Sequence, residues 1–147
     1  MLMKEQREKI TFTVRNWEAL EKQSAESIER VKAKCSNALA CLVMDIIEND
    51  ARMHEKLQEL IIGSLEREPL TLNLEEVGEV IELIRNHTQL KSQMIGVAEE
   101  TLGMITDKSL RIQKFLLRTL IADEKKHKEM LEGIEEVRKG LYPYWAH

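Results

Sequence analysis

Apolar residues recur at helical spacing along nearly the whole chain, and the pattern breaks clearly at only three places. The breaks predict four amphipathic helices, over Lys4 to Lys34, Ser36 to Arg67, Leu74 to Thr106 and Ser109 to Lys139. Each has about 30 residues and so a length of about 45 Å. The punctuation fits helix ends. "EREPLTLNLEE" carries Pro69 and an Asn73 to Glu76 capping box, "TDKS" offers Asp107 and Ser109 as caps, and Ser36 and Asn37 mark the first boundary.

The two halves of the chain align without a gap at an offset of 73 residues. Leu39 matches Ile112, Leu42 matches Phe115, Asp50 matches Asp123 and His54 matches His127. An Asp-x-x-x-His pair recurring in register points to a duplicated helical hairpin. Connections of a few residues favour antiparallel neighbours, hence a single all-α domain over residues 1–147 with an up-down-up-down four-helix bundle. One alternative stays open: a second helix ending at Gly63 would leave about ten extended residues, reaching at most about 36 Å, for a crossover.

Composition agrees with this class. In 147 residues there are 2 Pro and 6 Gly, and the abundant Leu, Ile, Glu, Lys and Met are helix formers. The net charge of −4 forms no basic stripe, which argues against a nucleic-acid partner. No apolar run approaches the roughly 20 residues needed to span a bilayer, and the charged N-terminus "MLMKEQREKITF" is unlike a signal peptide. These features predict a cytoplasmic protein with no membrane partner. Cys35 and Cys41 lack the C-x-x-C spacing of redox or zinc motifs and read as reduced structural thiols. The seven Met read as core filler, and the aromatic tail "GLYPYWAH" as a cover for one end of the bundle or for another subunit. Long apolar stripes and this tail suggest a homo-oligomer.

Polar residues interrupt every predicted inner stripe. Glu18 and Glu21 fall among Ile10, Val14, Trp17, Ala25 and Ile28 in the first helix; Asp50 and His54 fall among Val43, Ile46, Ile47, Leu57, Leu60 and Ile61 in the second. His87 and Lys91 interrupt Ile81, Ile84, Met94, Ile95, Ala98 and Leu102 in the third, and Glu124 and His127 interrupt Leu117, Leu120, Leu131 and Ile134 in the fourth. Counting from the turns puts all of them near mid-height, so the pattern predicts one polar layer of Glu18, His54, His87, Lys91, Glu124 and His127. Charges in such a layer must be paired or bound to metal, because a lone buried charge is costly.

This layout resembles the ferritin-like superfamily, including rubrerythrin-type bundles, whose two-metal site takes one Glu from each of two helices and a Glu-x-x-His from each of the others. "EKKH", Glu124 to His127, matches one Glu-x-x-His in full. "ARMH" keeps His54 but has Ala51 in place of Glu, and Lys91 stands at the position equivalent to Glu18. The resemblance implies a carboxylate and imidazole metal centre, and the departures reduce it to one Fe, Mn or Zn ion held by Glu18, His54, His87, Glu124 and His127, with a redox role. The competing expectation is a metal-free, non-catalytic structural or interaction module in which Lys91 bridges Glu18 and Glu124. No nucleotide loop or hydrolase-type nucleophile motif occurs, so no small-molecule substrate is indicated.

Overall fold

A computed structural model describes residues 2–70, 72 and 74–141. Four long helices account for most of them: α1 (Leu2–Lys34), α2 (Ala38–Glu66), α3 (Leu74–Gly103) and α4 (Arg111–Leu141), the last preceded by a 3-10 turn at Lys108–Leu110. No strand occurs among the described residues. No helix among them is long and apolar enough to cross a membrane. The helices group into two compact units, Met1–Leu70 and Thr71–His147, each an α-hairpin: α1 packs on α2, and α3 packs on α4.

Local chemistry explains where the helices begin and end. Asn37 caps α2, its side-chain oxygen accepting from the Ala40 N–H at 3.1 Å. Asp107 opens the second hairpin's turn by accepting from the Ser109 N–H at 2.8 Å, and these bonds to Ser109 hold its carboxyl below the usual range. Helix α2 does not stop at Gly63. It runs to Glu66 and closes where the Arg67 N–H donates to the Gly63 carbonyl at 2.9 Å. The expected Asn73 to Glu76 capping box and most of the aromatic tail lie outside the described residues.

Each hairpin is held by a narrow seam whose residues recur at alternating spacings of three and four, the signature of coiled-coil pairing. In α1 the side chains withdrawn from solvent are Thr11, Val14, Glu18, Glu21, Ala25, Ile28 and Lys32, continued by Cys35. The matching row on α2 is Cys41, Met44, Glu48, Ala51, Glu55, Gln58, Ile62 and Leu65, of which only Glu55 is exposed. In the second hairpin, α3 contributes Val77, Ile81, Ile84, Thr88, Lys91, Ile95, Ala98 and Leu102, continued by Ile105. Helix α4 contributes Lys114, Leu117, Ile121, Glu124, Lys128, Leu131, Glu135 and Arg138. The α2 and α4 rows coincide position for position at the offset of 73, whereas the α1 and α3 rows share only Thr11 with Ile84, Glu18 with Lys91, Ala25 with Ala98 and Lys32 with Ile105.

The seam divides each hairpin into two unlike broad sides. With the seam residues as heptad positions a and d, the e positions flank it on one side and the g positions on the other. In an antiparallel pair e meets e and g meets g. On the e side stand Arg15, Lys22, Glu29, Asp45, Arg52, Glu59 and Glu66 in the first hairpin, and Arg85, Glu99, Arg118, Lys125 and Glu132 in the second. Cross-helix ion pairs confirm that these residues share a side: Arg15 to Glu66 at 2.8 Å and Lys125 to Glu99 at 3.1 Å.

The g side, with the neighbouring c positions, is apolar. In the first hairpin it carries Ile10, Trp17, Val31, Ile47, Leu57 and Ile61, all exposed. In the second it carries Val80, Leu83, Leu90, Met94, Val97, Leu120 and Met130, again all exposed. The α2 stripe expected to be core, Val43, Ile46, Ile47, Leu57, Leu60 and Ile61, lies wholly outside the seam: the face toward α1 is the Cys41 to Leu65 row, and Ile47, Leu57 and Ile61 are exposed on the g side.

Candidate functional site

The predicted polar residues fall into two groups, one in each hairpin. In the first, Glu18 occupies an a position and Glu21 a d position of α1, while His54 stands at a g position of α2. Glu21 rather than Glu18 meets the histidine: its Oε1 lies 3.2 Å from His54 Nδ1. Glu21 is 18% exposed and His54 50%, so the imidazole sits at the edge of the seam. Glu18 instead lines a charged recess on the e side with Glu21, Lys22, Glu29, Glu48 and Arg52.

Beside that recess the charges are well neutralised. Lys32 Nζ lies 2.8 Å from both Asp45 Oδ1 and Glu48 Oε2, and Arg52 reaches Glu48 Oε1 at 2.7 Å. The hydrogen bonds to Asp45 and Glu48 hold the Lys32 ammonium well above its ordinary range, and the hydrogen bond from Lys32 holds the Glu48 carboxyl below its own. On the far turns Arg15 Nη2 donates to both carboxylate oxygens of Glu66, at 2.8 Å each.

In the second hairpin Lys91 and Glu124 both occupy d positions and face each other across the seam. Lys91 Nζ lies 2.9 Å from Glu124 Oε2, with the side chains 13% and 20% exposed. The two are in ion-pair contact without the alignment of a hydrogen bond, and Oε2 itself is closed off from solvent. His87 and His127 stand at g positions and line one recess with Lys91, Met130, Leu131 and Ile134. His127 is half-buried, and His87, expected in a buried layer, is exposed.

The histidines of both hairpins therefore flank the seams on the apolar sides, and the carboxylates lie within the seams. Of the five residues in the predicted ligand set, Glu18 and His54 belong to the first hairpin, and His87, Glu124 and His127 to the second. A two-metal carboxylate centre does not fit these side chains. Ala51, the d position equivalent to Glu124, offers no donor, and the Glu124 carboxylate is already neutralised by an ammonium.

Two residues acquire a role that the sequence did not single out. Glu21, one turn on from Glu18 along the same seam, is the partner of His54. Gln58 is 3% exposed, and neither its amide nitrogen nor its amide oxygen has a hydrogen-bond partner. Its equivalent in the second hairpin is Leu131, an ordinary seam residue. No family model, curated protein or solved structure matches this chain.

Proposed function

We propose that this chain is a non-catalytic helical assembly module, a divergent ferritin-like four-helix bundle in which Lys91 takes the place of a metal ion. The observation that carries this reading is the Lys91 to Glu124 ion pair, 2.9 Å long and largely withdrawn from solvent. An ammonium at this position supplies the positive charge that the Glu-x-x-His carboxylate would otherwise take from a cation. The uncovered apolar sides of the two hairpins are the surfaces that drive assembly, each seeking another such side to exclude water. Where the cover comes from a second copy, the protein is a homo-oligomer; a monomer in light scattering across micromolar concentrations assigns the cover to the same chain.

Elemental analysis of the purified chain after incubation with Fe(II), Mn(II) or Zn(II) tests the central claim. Substoichiometric metal is expected, together with a loss of stability in Lys91→Met. One tightly held ion per chain would overturn it in favour of a second reading, the single-metal centre of Glu18, His54, His87, Glu124 and His127. That second reading draws support from His87 and His127, which line the same recess. It expects Lys91→Met to raise metal affinity by freeing the Glu124 carboxylate.

A further inference from the structure

We propose that Cys35 and Cys41 are a dithiol that closes into a reversible disulfide across the α1–α2 turn. Cys35 continues the α1 seam and Cys41 begins the α2 seam, so both stand where the hairpin closes. Both are free thiols and half-buried, within reach of a small oxidant. One carbonyl gathers them. The Asn37 oxygen accepts from the Cys41 N–H at 2.9 Å and from the Cys35 thiol at 3.7 Å. The Cys41 thiol is held above its ordinary range, chiefly by the Cys35 side chain and then by burial.

At the sequence offset of 73 the two cysteines correspond to Lys108 and Lys114, so the thiols belong to the first hairpin alone. The thiolate is the attacking species. With a small-molecule disulfide of the glutathione type, the Cys35 thiolate attacks one sulfur, expels one small thiolate and leaves a mixed disulfide. Cys41 then gives its proton to solvent and attacks the Cys35 sulfur, expelling the second thiolate. Two protein thiols are oxidised to one disulfide while the small disulfide is reduced to two thiols, and each released thiolate takes up one of the protons lost by the cysteines.

The test uses the full folded chain with oxidised glutathione, an alkylating quench, intact mass and non-reducing peptide mapping. Loss of two hydrogens is expected, with Cys35 and Cys41 linked within one chain and released by a dithiol reductant. Half-oxidation is expected at an oxidised-to-reduced ratio about tenfold below that of the urea-unfolded chain, because the turn raises the effective concentration of the thiols. Cys41→Ser should stop at a glutathione adduct on Cys35. A wild-type product that is a stable glutathione adduct, an interchain disulfide or unreacted thiol overturns the proposal, as does equal ease of oxidation in urea.

Discussion

Replacing Gln58 by Leu should make the protein more stable, and the size of the gain can be worked from the seam. Gln58 is 3% exposed, and both of its amide atoms are buried without partners. A buried polar group left unsatisfied costs about 1–3 kcal/mol. Leu is of similar volume, fills the same a/d row and is the residue already used at the equivalent position, Leu131. The methylenes of Gln58 are already out of water, so the gain comes mainly from removing the amide and should be about 1–3 kcal/mol. Urea denaturation followed by far-UV circular dichroism reads it directly. With a slope of about 1–3 kcal/mol per molar, the midpoint should rise by roughly 1 M while the slope stays unchanged. The reverse change, Leu131→Gln, should lower stability in the second hairpin. A Gln58→Leu variant that is neutral or weaker than wild type would show that the amide is satisfied in solution and would refute the reasoning.

Lys91→Met should destabilise by about 1–3 kcal/mol, below the 3–5 of a fully buried pair because both side chains retain some exposure, and Lys91→Met with Glu124→Met should recover most of the loss; thermal unfolding of the cycle measures both. The Glu48 carboxyl is held below its ordinary value of 4.5 in the folded chain, so its contribution is complete above that pH and is lost as pH falls through the folded value. Acid unfolding of Lys32→Met should therefore show a smaller loss of stability below pH 4.5 than wild type. Asn37→Ala should cost about 1 kcal/mol through the lost cap, seen as faster amide exchange in the first turn of α2. Trp17 is exposed on the apolar side of its hairpin; if that side is covered in solution, a Trp145→Phe chain should emit at short wavelength and resist acrylamide quenching, and quenching like that of free tryptophan would count against assembly through this side.

The helices were legible because their evidence is local. Asn37 and Asp107 are caps written into a few adjacent residues, and the long 3.6-like rhythm needs no knowledge of a partner. The placement of the site was not legible to the same degree, for a geometric reason. A straight helix drifts by about 20° per heptad against a seam of period 3.5, so over four turns of the repeat a stripe drawn at 3.6 wanders off the seam. That is how Trp17 and Leu120 entered the expected core although both are exposed, and how His54 and His87 entered a buried layer although they flank the seams. Lys91 and Glu124 escaped the error because both fall on d positions. The choice of Glu21 over Glu18 as the partner of His54 depends on which turn of α1 faces the histidine across the hairpin, which a stripe on one helix does not carry. Gln58 left no trace in the pattern, since a single amide in an apolar row reads like any surface glutamine.

The coincidence of the α2 and α4 seams has an evolutionary side. A gene encoding one hairpin that assembles with itself must place the same side chain at both copies of every position, so a charge introduced at the seam is always doubled. Joining two hairpins in one reading frame lifts that constraint, and each copy can then change alone. In a duplicated chain that freedom would show at positions where the two copies differ in chemistry, as Glu18 against Lys91, Ala51 against Glu124 and the two cysteines against two lysines do. An ion pair such as Lys91 with Glu124 can then arise in one half while the other half keeps a carboxylate, a small apolar residue and a dithiol for separate use.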